Sequence, residues 1–83
     1  MSYIVFGKEN CIYCDKAKEL LSKKNVNFKY IDIKTGDSIE IFKAMFPASK
    51  TVPQILEVKT TNVYRYIGGY TNLEKEIDDY RAT

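Results

Sequence analysis

Two cysteines, Cys11 and Cys14, stand three residues apart in the stretch GKENCIYCDKAKELL, Gly7 to Leu21. A sulfur pair at that spacing could be a structural disulfide, part of a zinc site, or a dithiol that cycles with its disulfide. A Cys11–Cys14 bridge would close a loop too short to constrain the unfolded chain much, so a purely structural role is disfavoured. A structural zinc takes four ligands, usually Cys or His. The chain has no histidine and no third cysteine, so no metal is expected within one chain. Redox exchange is the favoured reading.

The attacking species in such exchange is the thiolate, and a free cysteine of pKa near 8.5 is only about 3% ionised at pH 7. A helix N-terminus has unpaired N–H groups and a partial positive charge, and a thiol placed there can have its pKa lowered to ~3.5–7.5. The pattern puts Cys11 one step before a helix, with room to be exposed, and Cys14 one turn on, facing inward. Cys11 can attack a substrate disulfide, and Cys14 can resolve the mixed disulfide that results.

The elements around the pair have to deliver that placement. Ser2 to Phe6 is β-branched and aromatic and reads as a buried strand. After Cys11 the apolar period lengthens: Cys14, Ala17, Leu20 and Leu21 form one helical stripe, with Glu19 and Lys23 in the favourable order for an ion pair. This helix should end near Lys24–Asn25. Val26 to Ile33 alternates as a second strand. Asp37 and Glu40 spell a capping box for a second helix, with Ile39, Phe42 and Phe46 inward and Pro47 as its stop. Thr51 to Val58 reads as a third strand. Pro53 lacks an N–H, so that strand must begin there or lie at an edge. A KTTN turn leads to a fourth strand, Val63 to Ile67, which Gly68 and Gly69 break. Thr71 and Glu74 spell a second capping box, for a last helix that turns Leu73, Ile77 and Tyr80 inward. Tyr3, Phe6, Phe28 and Ile55 are core candidates.

The order is β-α-β-α-β-β-α, an α/β class with a four-stranded mixed sheet and three helices. Cys11 then falls just beyond the C-terminal end of the first strand, where open α/β sheets place their sites. The 83 residues suffice for one domain, spanning 1–83, that buries only about 60–65% of its unfolded surface. Apolar residues at 45% and charged residues at 29% exclude a disordered chain. A net charge of +2, with both signs interspersed, gives no reason to expect nucleic acid. The uncharged run MSYIVFG is too short for a signal peptide or a spanning helix, so no membrane is expected and a cytoplasmic location is.

CIYC, TVPQ and IGGYT, in this order and at these distances, resemble the glutaredoxins, most of all the small dithiol proteins of bacteria and their phages. The resemblance runs from IVFG to the last helix. It implies a thioredoxin fold, with a cis bond at Val52–Pro53 beside the cysteines, and a monomer. It implies glutathione as reductant, with glutathione mixed disulfides and protein disulfides as substrates, ribonucleotide reductase among the plausible ones. By resemblance, Val52 offers its backbone to the tripeptide as an added strand, Thr51 flanks that contact, and Tyr13 packs along the ligand. Lys8 pairs with the glycine carboxylate, Gly69 permits close approach, and the helix start at Tyr70, Thr71 and Asn72 receives the γ-glutamyl carboxylate.

Three features depart from the pattern. Ile12 stands where many members have proline, which keeps an iron–sulfur role open. Asn72 stands where many have aspartate, which predicts weaker attraction for the glutamyl ammonium. The hairpin between Pro53 and Gly68 is longer than in compact members. A redoxin served by thioredoxin reductase and a [2Fe–2S] carrier built on Cys11 and glutathione are the competing readings.

Overall fold

Strand β1 (Ser2–Gly7) presents alternate side chains to two faces, and each face is covered differently. The computed structural model describes residues 2–49 and 51–82, and the side chains of the last helix through Ile77. Tyr3 and Val5 pack on one face with Ala17 and Leu21 of α1 (Ile12–Lys23), Ile55 of β3 (Gln54–Thr60), and Leu73 and Ile77 of α3 (Tyr70–Ala82). Phe6 turns to the other face, against Ile33 and Phe42 of α2 (Ser38–Met45), with Phe46 and Val52 at the margin.

The strand order is β2-β1-β3-β4, with β2 spanning Asn27–Asp32 and β4 spanning Val63–Gly68. β1 and β2 run parallel, joined through α1, with Phe6 opposite Ile31. β3 is antiparallel to both β1 and β4, with Ile55 opposite Val5 on one side and Gly68 on the other. The mixed sheet and its three helices are those the sequence predicts. Among the described residues no helix is long and apolar enough to cross a membrane.

Local chemistry sets the ends of α1. Cys11 caps its start in an extended conformation. At the other end Asn25 takes a left-handed φ of 57°, and the Val26 N–H donates to Leu21 O at 2.9 Å. That six-to-one bond closes the helix where the sequence predicts it. The hairpin between β3 and β4 turns at Thr61–Asn62, with Asn62 at φ 67°, a conformation asparagine tolerates.

Several local expectations need correction. The third strand starts at Gln54, not Thr51, so Pro53 lies outside the ladder of a central strand and leaves no bond unmade. Phe28 is only half-buried, because β2 is an edge strand. Asp37 makes no side-chain capping bond: its ψ of 5° is turned, whereas a capping residue is extended. Thr71 is not a cap either, because α3 already begins at Tyr70. The exposed ion pair on α1 joins Lys18 to Asp15 at 3.7 Å, and not Glu19 to Lys23. Tyr80 lies outside the described side chains.

Leu21 is fully buried between α1 and the sheet. A Leu21→Ala substitution is expected to lower unfolding stability by about 2–5 kcal/mol. Urea denaturation followed by far-UV circular dichroism measures this, and a loss below ~1 kcal/mol would contradict the packing described.

Candidate active site

β1 ends at Gly7, the chain crosses a short loop with Asn10 at φ 57°, and α1 begins. Cys11 therefore sits at the carboxyl end of an inner strand and the amino end of a helix. Its Sγ accepts the Cys14 N–H at 3.2 Å, and its C=O accepts the Asp15 N–H at 3.0 Å. A sulfur in that position answers a helix amide that would otherwise lack an acceptor, and the helix end favours negative charge on it. The two sulfurs are joined, with their Cα atoms 5.2 Å apart.

Burial divides the pair. Cys14 is 0% exposed, whereas Cys11 is only partly covered and Ile12 and Tyr13 beside it are exposed. An incoming disulfide can reach Cys11 and not Cys14. The inner sulfur is confined to exchange with its neighbour.

Three separate segments converge beside Cys11. A cleft of about 320 Å³ is lined by Tyr13 of α1, Thr51, Val52 and Pro53 of the loop before β3, and Gly69, Tyr70, Thr71 and Asn72 at the start of α3. The Val52–Pro53 peptide is cis, and Val52 O lies 3.7 Å from Cys11 Sγ. The antiparallel pairing of Ile55 with Gly68 explains the convergence, because it sets residues 51–53 alongside residues 69–72. Beside the cysteines, the cleft thus gathers the candidate ligand-binding residues named from the sequence, with one exception. Lys8 is not among its lining. It is half-buried in the loop before Cys11, and its carbonyl accepts the Tyr30 hydroxyl at 3.3 Å. Burial, with Asp32 and Asp15 nearby, raises the Tyr30 pKa, which keeps that hydroxyl a donor.

The roles within IGGYT are also redistributed. Gly68 is the position that needs glycine, with φ 118° and the Asn72 side-chain oxygen 2.8 Å from where a Cβ would stand. A Cβ on Gly69 would meet only Pro53 O, at an ordinary 3.7 Å, so Gly69 chiefly keeps the cleft open. Gly69 O accepts the Leu73 N–H, which makes Gly69 the helix cap, and Asn72 reaches back to accept the Gly69 N–H at 3.3 Å. Asn72 therefore supplies the return half of a capping box whose first residue has no side chain.

Sequence reasoning overlooked Lys16. Its ammonium stands 5.4 Å from the Tyr13 ring centre and 6.0 Å from that of Tyr70, within cation–π range of two rings that lie 5.9 Å apart. The three-residue step from Tyr13 to Lys16 was the available signal, since it puts both on one helix face. Among the described residues, no group of three or more His, Cys, Asp or Glu side chains is placed to hold a metal ion.

Comparison with known proteins agrees with this geometry. The family model described as Glutaredoxin matches residues 3–60. Glutaredoxin 1 of Salmonella typhimurium is 36% identical over 81 residues, covering 89% of this chain and 87% of the relative. Glutaredoxin 1 of Rickettsia prowazekii is 38% identical over 78 residues, covering 88% and 77%. The solution structure of reduced Escherichia coli glutaredoxin superposes with a TM-score of 0.75 at 29% identity, over 100% of both chains.

The difference in burial makes a direct prediction. In the reduced protein, iodoacetamide should label Cys11 well before Cys14, as read by peptide mass spectrometry at short times. Equal labelling of the two would mean that Cys14 is not shielded as described.

Proposed function

Because the chain belongs to the glutaredoxin family and is a thiol–disulfide redox protein built on Cys11 and Cys14, we propose that glutathione is its reductant. Its substrates in this reading are glutathione mixed disulfides and protein disulfides, ribonucleotide reductase among them, reduced by a monomer in the cytoplasm. One observation carries the reading: the cleft opens beside the accessible sulfur, with the Val52 backbone on one side and a helix start on the other.

Glutathione is a peptide with two carboxylates and one reactive sulfur. A cleft of about 320 Å³ is within the range of small-ligand sites. A tripeptide laid beside Val52 would use that residue's N–H and C=O as an added strand. Thr51 and Pro53 form the same wall, and Tyr13 and Tyr70 would cover the ligand's flank. The first-turn amides of Thr71 and Asn72 suit a carboxylate, as helix starts do, and Gly69 leaves room for it. Lys16 supplies positive charge beside the Tyr13 and Tyr70 rings, and Lys8, in the loop before Cys11, would pair with the glycine carboxylate.

The chemistry is a series of sulfur displacements. Cys11 thiolate attacks the glutathionyl sulfur of a mixed disulfide, and the substrate leaves as a thiolate. A second glutathione thiolate attacks the same glutathionyl sulfur, which frees Cys11 and forms oxidised glutathione. With a protein disulfide, Cys14 instead attacks Cys11 Sγ, so the Cys11–Cys14 bond closes and the substrate's second thiolate departs. Two glutathione molecules then reopen that bond. Each step breaks one S–S bond and makes another. Glutaredoxin potentials of roughly −200 to −230 mV lie near the glutathione poise, and ~30 mV is only about 1.4 kcal/mol, so exchange runs in both directions.

The test is a coupled turnover assay on a glutathione mixed disulfide, with glutathione, glutathione reductase and NADPH. Cys11→Ser should abolish turnover, while Cys14→Ser should retain mixed-disulfide turnover and lose reduction of protein disulfides. Turnover sustained only by thioredoxin reductase would refute the glutathione reading. In the same assay Asn72→Asp should lower KM for the glutathione substrate by about two- to fivefold, because a carboxylate there keeps the capping acceptor and attracts an ammonium at surface-pair strength. An unchanged or higher KM would remove Asn72 from the binding site.

A further inference from the structure

Gln54 is the one buried polar or charged side chain among the described residues, 5% exposed. It opens β3 on the α2 face of the sheet, where Leu56, two residues on, is apolar as that face requires. A leucine or methionine would fill the same place without an amide to satisfy. The amide is satisfied at both ends. Its Nε2 donates to Thr51 O at 3.0 Å, and its Oε1 accepts the hydroxyl of Tyr66 on β4. The Tyr66 ring is held in turn by Phe46, 5.6 Å away between centres, and Phe46 packs on Phe6.

These contacts form a chain from the edge strand β4 to the reacting sulfur: Tyr66 to Gln54, Gln54 to the Thr51 carbonyl, and then one residue to Val52, whose carbonyl lies beside Cys11 Sγ. The 51–53 segment precedes the first ladder residue of β3. Among the described residues its backbone has no other hydrogen bond apart from the approach of Val52 O to the Cys11 sulfur.

We infer that Gln54 and Tyr66 are positioning residues for the exchange reaction: their paired hydrogen bonds clamp the Thr51–Pro53 segment so that the Val52 backbone is pre-arranged for a peptide disulfide arriving at Cys11. The inference rests on the proposed role of Val52 as the strand to which substrate backbone adds. It does not depend on that substrate being glutathione. Neither side chain touches the reacting atoms, so the effect of losing them falls on substrate binding and leaves the sulfur displacement intact.

Two variants test it. Tyr66→Phe removes the hydroxyl and keeps the ring on Phe46; Gln54→Leu removes the amide. Tyr64→Phe, on the same face of β4, serves as control. KM and kcat are measured with a glutathione mixed disulfide and, separately, with insulin disulfides driven by dithiothreitol. Backbone order parameters of residues 51 and 52 are measured by NMR relaxation. We expect KM to rise about three- to tenfold in both assays, the worth of one partly buried hydrogen bond, with kcat little changed. We expect the order parameters to fall from the rigid value of ~0.85 toward ~0.6. Unchanged KM in both variants overturns the inference. So do unchanged order parameters, since the effect would then not pass through the loop. A wild-type protein that shows no saturable glutathione turnover, with variants that still raise KM for insulin, would refute the glutathione reading and leave this one standing. Should Gln54→Leu not fold, Tyr66→Phe decides alone.

Discussion

A helix start must find acceptors for its first amides, and in this protein one of those acceptors is a sulfur. The bond from the Cys14 N–H to Cys11 Sγ is a helix cap and a redox device at once. It requires Cys11 to be extended and turned outward at the moment the chain becomes helical, and it places Cys14 one turn later on the buried side. An anionic sulfur is a better acceptor than a neutral one, so the reduced, reactive form gains most from the same contact. Structure and reactivity are coupled through a single donor.

The sheet exists around that helix start. The parallel pairing of β1 with β2 makes α1 a crossover, which carries its amino end to the carboxyl edge of the strands. β3 then enters between β1 and β4. Its register with β4 brings the Thr51–Pro53 loop and the Gly69–Asn72 helix start together from either side of a hairpin. The face carrying α1 and α3 holds most of the fully buried residues, whereas α2 covers the other face with Phe42 as its one buried side chain. The more deeply buried half thus supports the sulfurs, and the lightly covered half contains the Gln54–Tyr66 contact that steadies the facing loop.

Reading the residues in order recovers the elements well and the caps poorly. Alternation in SYIVF and the three-to-four spacing from Cys14 to Leu21 are strong because burial enforces them. The capping boxes at Asp37 and Thr71 follow the usual residue spacing, yet neither forms. A cap depends on the φ and ψ with which the chain arrives, and those are set by the preceding loop: a turn at Asp37, and a glycine pair that starts α3 two residues before a Thr71 cap would. Lys16 and Gln54 were passed over for a related reason. A lysine on a helix and a glutamine after a proline are ordinary in sequence, and only the rings and the carbonyl they meet give them a part.

The chain alone was enough to determine the chemistry and the architecture. Two cysteines at helical spacing, with no histidine or third cysteine, leave redox exchange as the favoured use, and the periods of apolar residues specify which segments are strands and which are helices. The same spacing already put Cys11 outward and Cys14 inward; the tertiary structure decided which residues share a wall of the cleft, and that Lys8 is not among them. Those outcomes depend on contacts between segments well separated in the chain, such as Cys11 with Val52, 41 residues apart. Local periodicity has no range over such separations; only the packed sheet, through its strand register, specifies which distant residues meet.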